Sequence, residues 1–402
     1  MYKKEIVALL LAGGQGTRLD PLTRNISKPA LPFGGENRII DFTLSNCINS
    51  GIDTIGVLVQ YKPFILNSHL KQSYITKVDN GGGITVLPPY SSSNGMSWYK
   101  GTAHAVYQNF EFLNHYNPED VIILSGDHIY KMDYSKMINF HKKRDADITI
   151  GVVQVPMSEA SRFGILNTDN KNKIIEFEEK PKNPRSDFAS MGIYVCKLGI
   201  LKKYLSDHEE SSDFGKHILP AMLRDNLTLY AYKYSGYWRD IGIIDTYWEA
   251  HMDLLKKERS DLLYDKNWPI YSANTNIVLP QYISKQAIIK NSLISSGASI
   301  HGTINNSVIF NNTYISSGAQ IKNSIILPGV EVGKNTLIEK SIISNDNIIG
   351  DNCKIGVYKS GKKNEVTVLG ENCNILDGTI ISNGRRINDA ENYYSEDEAN
   401  YA

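Results

Sequence analysis

Residues 11–18 read Leu11-Ala12-Gly13-Gly14-Gln15-Gly16-Thr17-Arg18, and Lys28-Pro29 follow. They come directly after the apolar run Ile6–Leu10. Glycines lack a Cβ, so the backbone N–H groups of such a loop can approach a phosphate closely. Arg18 and Lys28 add positive charge where a polyphosphate would sit. Neither common phosphate loop is present, neither G-x-x-x-x-G-K-[ST] nor G-x-G-x-x-G. A bare glycine turn with a surface arginine is the competing reading, and it weakens as other clusters follow in order.

Five such clusters stand out. In Leu124-Ser125-Gly126-Asp127-His128-Ile129-Tyr130 a carboxylate lies just past an apolar stretch. That suits Mg²⁺ carried in with a nucleotide, because Mg²⁺ prefers oxygen ligands. By the same preference His128 reads as structural. In Trp98-Tyr99-Lys100-Gly101-Thr102-Ala103, Tyr99 can stack on or hydrogen-bond a sugar or base, or simply pack. In Arg162-Phe163-Gly164-Ile165, Gly164 permits close approach of a ligand. In Glu176-Phe177-Glu178-Glu179-Lys180-Pro181, strand alternation puts Glu176, Glu178 and Lys180 on one face and Glu179 on the other. A lysine held there can clamp a phosphate monoester, with a glutamate for sugar hydroxyls; a solvated charge run is the alternative. In Tyr237-Trp238-Arg239-Asp240-Ile241-Gly242, Asp240 is either a second metal ligand or the partner of Arg239.

Alternating elements must position these groups. Strands are expected at Ile6–Leu11, Thr54–Val59, Ile84–Leu87, Val121–Leu124 and Ile148–Val155. Helices are expected near Ile39–Ile48, Phe64–Leu70, Ala103–Leu113 and Tyr134–Lys143. Such alternation predicts an α/β domain with a mostly parallel sheet and helices on both faces. Ligands on such sheets bind beyond the carboxyl ends of the strands, where Gly13–Arg18 and Ser125–Asp127 both fall. Shorter strands follow at Ile174–Glu178, Met191–Val195 and Leu227–Tyr232. Helical patterns lie around Leu198–Leu205, Lys216–Arg224 and Ile244–Lys256, the last expected to pack.

Beyond residue 280 aliphatics recur every six residues: Ile309, Ile315, Ile321; Ile326, Val332, Ile338; Ile343, Ile349, Ile355. Six is the period of hexapeptide β-helix repeats, in which each triangular coil sends one aliphatic inward per face. Burial would contribute roughly 1.5–3 kcal/mol per side chain before entropy is subtracted. The expected organisation is an α/β domain over 1–257, a linker over 258–280, the coil over 281–378 and a tail over 379–402 that includes the acidic Glu391–Glu398.

The chain has 402 residues, with 43 Lys+Arg against 43 Asp+Glu. Zero formal charge gives no global attraction to nucleic acid or an anionic membrane, so phosphate binding must come from local placement. The four cysteines are far apart and do not suggest a disulfide framework or a zinc site. No stretch is long and apolar enough for a membrane span. A cytoplasmic protein that binds neither nucleic acid nor membrane is expected.

In this order the clusters resemble the sugar-nucleotide pyrophosphorylases, and more narrowly the glucose-1-phosphate adenylyltransferase (ADP-glucose pyrophosphorylase) family of bacterial glycogen synthesis. The narrower likeness rests on Phe33-Gly34-Gly35, Arg38-Ile39-Ile40-Asp41-Phe42, Leu44-Ser45-Asn46-Cys47, Trp98–Ala103, Gly126–Tyr130, Ala189-Ser190-Met191-Gly192-Ile193-Tyr194 and Tyr237–Asp240. It implies a Rossmann-like nucleotidyltransferase domain followed by a left-handed parallel β-helix. It implies adenylyl transfer from ATP to α-D-glucose 1-phosphate, giving ADP-glucose and pyrophosphate. Gly13, Gly14, Arg18 and Lys28 would hold the ATP phosphates, and Asp127 and Asp240 would hold Mg²⁺. Tyr99, Gly164, Glu179, Lys180 and Ser190 would bind glucose 1-phosphate, while Arg18, Lys28 and Asp127 carry catalysis. Gln60 and Trp98 match positions implicated in relaying an activator signal. A homotetramer, or a hetero-oligomer with a related subunit, is implied. So is a rival reading of the chain as a weakly active regulatory subunit, against which stand the retained Arg18, Lys28, Asp127 and Lys180. Where the family commonly has Asp this chain has His104, which leaves the activator open along with Glu36-Asn37 and Asn25-Ile26.

Overall fold

A computed structural model describes residues 4–74, 82–89, 91–92, 95–96, 98–207, 213–259, 261–273, 279–357 and 364–388. The chain divides into two compact units. One contains the residues up to Gly14 together with Phe42–Trp238; the other contains Gln15–Asp41 together with everything from Arg239 onward.

The first unit is built on a nine-stranded sheet. Its strands are β1 (Ile6–Leu11), β2 (Thr54–Leu58), β3 (Gly83–Leu87), β4 (Asp120–Ser125), β5 (Ile148–Gln154), β6 (Gly164–Thr168), β7 (Ile174–Glu179), β8 (Phe188–Lys197) and β9 (Leu229–Tyr234). They run in the order β7-β6-β8-β4-β1-β2-β3, and β5 pairs with both β8 and β9. β3, β2, β1 and β4 are parallel neighbours, as the alternation predicts. β8 is antiparallel to β4, β5 and β6, so the sheet is mixed. β1 and β4 are almost wholly apolar because a parallel strand covered on both faces has no solvent side. Leu11 is in register with Ser125, and Gly126 N donates to Leu11 O at 3.0 Å. The glycine loop and Asp127 therefore leave the sheet at the same end of two adjacent strands.

The continuous helix expected over Ala103–Leu113 is two helices, Thr102–Gln108 and Phe110–Tyr116. Asn109 breaks it, with φ −104° and ψ 25°. Its side chain donates to Ala105 O at 2.8 Å and to the Tyr99 hydroxyl at 3.0 Å, a local competition with the backbone typical of asparagine. A second irregularity lies in β8. Ile193 pairs with Gly151 and Ser190 with Val152, so Met191 and Gly192 bulge out. Gly192 has φ +67°, which glycine tolerates without a Cβ penalty.

The second unit contains three six-stranded parallel sheets, consistent with the three faces of a left-handed β-helix. The predicted aliphatics stack in register: Ile309 on Ile326 on Ile343, Ile315 on Val332 on Ile349, Ile321 on Ile338 on Ile355. All nine are buried in one core. Asn291, Asn306, Asn323 and Lys340 turn the corners with φ between +41° and +48°, a region in which asparagine is enriched. Ser307, Ser324 and Ser341 form a buried ladder: the Ser307 and Ser324 hydroxyls each accept from the next coil's N–H at 3.1 Å, and all three hydroxyls donate to their own coil. The coil does not stop at Gly378 as expected. Ile380–Ser382 pairs with Lys354–Val357, and Arg386–Ile387 pairs with Thr367–Leu369. Ile375, Ile381 and Ile387 continue the six-residue spacing into the core, so the expected tail over 379–402 begins no earlier than residue 388. Glu391–Glu398 lie outside the described residues.

The segment Gln15–Asp41 belongs to this unit, which departs from the expected single domain over 1–257. Asn25 Nδ2 donates to Glu371 (3.0 Å), Ser296 Oγ to Glu36 (2.9 Å) and Ser272 Oγ to Asp41 (2.7 Å). The helix Ile244–Leu254 lies between the segment and the coil and has the packing role predicted for it. Tyr247 donates to Pro32 O at 2.6 Å, and Trp248 Nε1 to Asn323 O at 2.8 Å. His251 accepts from Gly34 N at 3.3 Å and its other ring nitrogen meets Tyr247 O at 2.9 Å. Burial lowers its pKa to about 4, so it is neutral at physiological pH.

Candidate active site

In the sheet unit, Gly13 lies against Gln60; a Cβ built on Gly13 would be 3.4 Å from Gln60 Cβ. Gly14 faces open space, and a Cβ there would meet nothing within 4 Å. The Gln60 amide oxygen accepts from Tyr99 N at 2.5 Å, linking the strand end of β2 to the residue next to the exposed Trp98. The Tyr99 hydroxyl donates to Leu87 O (2.9 Å) and accepts from Asn109, so it serves the fold, and the half-buried ring packs against the core of the sheet unit.

Asp127 follows β4. Its Oδ1 accepts from Ser125 Oγ and lies 3.3 Å from His128 Nε2. A carboxylate at this position fits a hard divalent cation.

Glu179 and Lys180 end β7. Glu179 is in register with Gly164, and the two glycines Gly164 and Gly215 enclose its carboxylate. A Cβ on Gly164 would fall 2.8 Å from Glu179 Oε2, and one on Gly215 would fall 2.6 Å from it. Gly215 is the second residue of the π-helical turn Phe214–Ile218, and as a lone glycine between Phe214 and Lys216 it carries no motif in the sequence. Alternation places Lys180 on the face of Glu176 and Glu178, but the strand ends at Glu179. The φ of Lys180 is +51°, so the chain leaves the strand there and the period of two no longer applies. Lys180 N donates to Phe163 O at 3.0 Å, and Nζ lies 3.3 Å from Glu179 Oε1 with the side chain largely exposed. Ser190 sits at the bulge of β8, accepts from Gly192 N at 3.3 Å and hydrogen-bonds Tyr194, whose phenol burial pushes well above its usual range.

In the coil unit, Arg18, Lys28 and Asp240 come together. Lys28 is buried in a single 3₁₀ turn, and its Nζ lies 3.5 Å from Asp240 Oδ1. Arg18 is exposed. A Cβ on Gly242 would stand 3.0 Å from Asp240 Oδ2 and 3.6 Å from Arg18 Nη2, so the missing side chain leaves the space these groups occupy. Arg239 reaches Asp253 at 2.8 Å and Glu249 at 3.5 Å, while Asp240 lies 3.5 Å from Lys28. A desolvated ammonium beside an exposed guanidinium suits a polyanion, since fields are stronger out of bulk water.

Two partial sites thus emerge: a carboxylate–lysine group in the sheet unit and a cationic group in the coil unit. Among the described residues no helix is long and apolar enough to cross a membrane. Residues 7–257 match the family model described as nucleotidyl transferase, so the chain is a member of that class of enzyme. Residues 278–373 match a GlmU-like, C-terminal hexapeptide model. Proteins named glucose-1-phosphate adenylyltransferase from Bacillus cereus, Bacillus mycoides and Bacillus anthracis are each 51% identical to it over 354 residues, 87% of this chain and 94% of theirs. The chain belongs to the glucose-1-phosphate adenylyltransferase family.

Proposed function

We propose that this enzyme transfers the adenylyl group of ATP to α-D-glucose 1-phosphate, giving ADP-glucose and pyrophosphate for α-glucan synthesis in the cytoplasm. The observation that carries this is the identity with the adenylyltransferases over nearly the whole of both chains. The sugar phosphate oxygen attacks the α-phosphorus in line, and pyrophosphate leaves. Lys180 grips the phosphate of the sugar, and Glu179, enclosed by Gly164 and Gly215, accepts from its hydroxyls. Gly13 and Gly14 offer backbone N–H groups to the triphosphate. Arg18 and Lys28 hold the two phosphates that depart and stabilise the charge that grows on them. Mg²⁺ held by Asp127 and Asp240 would neutralise phosphate charge when bound. The working form is a homotetramer or a hetero-oligomer with a related subunit.

A panel of ATP, UTP, dTTP and GTP with glucose 1-phosphate and Mg²⁺ tests this. Pyrophosphate release is expected with ATP. Release with another nucleotide alone reassigns the base. Turnover only after a second subunit is added returns the regulatory-subunit reading.

A further inference from the structure

The mechanism gives Asp127 a role but does not say what fixes its carboxylate. A hydroxyl donor and a ring nitrogen converge on one of its oxygens. Ser125 Oγ donates to Oδ1, and His128 Nε2 lies 3.3 Å from the same atom. Both groups are themselves held. Thr43 Oγ1 donates to Ser125 O at 3.1 Å, which anchors the strand end. The His128 ring meets the Trp238 ring edge-on at 5.2 Å, and Trp238 packs on Phe163 at 5.3 Å. The bulge of β8 closes the other side. A Cβ on Gly192 would stand 3.6 Å from Ser125 Cβ and 3.8 Å from His128 Cε1, ordinary packing distances that place the bulge beside both residues.

We infer that Ser125 and His128 are positioning residues that pin Oδ1 of Asp127, so that Oδ2 is the oxygen presented to the metal–nucleotide complex. This rests on the metal role proposed for Asp127. An unpinned carboxylate samples several rotamers, and each that faces away from the metal is a state that binding must exclude. Losing a group that orients a metal ligand typically costs 10–100-fold in metal affinity or activity.

The test uses the full-length enzyme and Mn²⁺ as a paramagnetic substitute for Mg²⁺, with ATP present. Asp127→Asn comes first: loss of bound Mn²⁺ by electron paramagnetic resonance supports the underlying metal role, and unchanged Mn²⁺ binding removes that role and the inference with it. Given that loss, Ser125→Ala is expected to weaken Mn²⁺ binding and lower kcat about 10-fold or more, with KM for glucose 1-phosphate within about twofold. Ser125→Thr, which keeps the hydroxyl, is expected to restore both. Unchanged Mn²⁺ affinity in a folded Ser125→Ala enzyme overturns the inference while leaving the metal role of Asp127 standing. His128→Phe keeps the ring against Trp238 but removes the donor, and should resemble Ser125→Ala. A ¹⁴N coupling to Mn²⁺ in the wild-type enzyme that vanishes in His128→Phe makes His128 a ligand and also overturns it.

Discussion

The two units use polar groups in opposite ways. In the coil unit they repeat. Ser307 does for one coil what Ser324 does for the next, and Asn291, Asn306 and Asn323 turn one corner after another. In the sheet unit the polar groups of interest occur once, each at a break in the local pattern. Lys180 follows a left-handed step out of β7, Ser190 sits on a bulge, and Asp127 lies past the end of β4. A side chain that recurs with the period of the fold is satisfied by its copies and serves stability. A side chain held where the pattern breaks has no such copies, and its partners are local and particular to it.

Substitutions can break or sharpen this contrast. The largest effect is expected in the coil, at Ile338. It is fully buried between Ile321 and Ile355, and Ile338→Ala should cost about 2–5 kcal/mol. Urea unfolding should show that loss while the KM values at low temperature stay near wild type; a comparable shift in KM would blur the division of labour. Next is His251, also in the coil unit. Its pKa is about 4 in the folded enzyme and about 6.5 when unfolded, so the unfolded chain binds the extra proton first. The stability contributed by the neutral ring is fully present above about pH 6.5 and is lost as pH falls toward 4, up to about 3 kcal/mol. His251→Gln can keep both hydrogen bonds and should flatten the stability profile across that window; an unaltered slope would remove His251 as its cause. The smallest effect is expected in the sheet unit. Lys180→Ala should raise KM for glucose 1-phosphate by an amount worth roughly 1.5–3 kcal/mol, the range for a hydrogen bond to a charged group. KM for ATP and the urea midpoint should barely move, and equal effects on both substrates would take Lys180 out of its assigned place.

The sequence was most legible where the structure repeats. Nine aliphatics at six-residue spacing were enough to predict three stacked faces, because in a coil each residue's environment depends only on its offset within the repeat. The parallel core of the sheet was legible for a related reason, since β1 and β4 are almost wholly apolar and are followed within two residues by glycine. What resisted reading was set by distant contacts or by backbone geometry. Nothing next to Gly215 announces that Glu179 fills the place of its side chain. The positive φ of Lys180 takes the chain out of the strand, so alternation no longer assigns it a face. Asn109 splits a helix through a hydrogen bond to a residue ten positions earlier in the chain. Ser125 and His128 were both in view beside Asp127, but that they share one of its oxygens is a fact about rotamers.

The grouping of Gln15–Asp41 with the carboxyl-terminal part has a practical meaning for anyone who would shorten this polypeptide. Cutting after residue 257 would spare every residue of the glycine loop yet strip away Ser272, Ser296 and Glu371, the three anchors under Asp41, Glu36 and Asn25. The coil is thus a foundation for the stretch that bears Arg18 and Lys28, and truncation there is expected to loosen that stretch before it touches anything else.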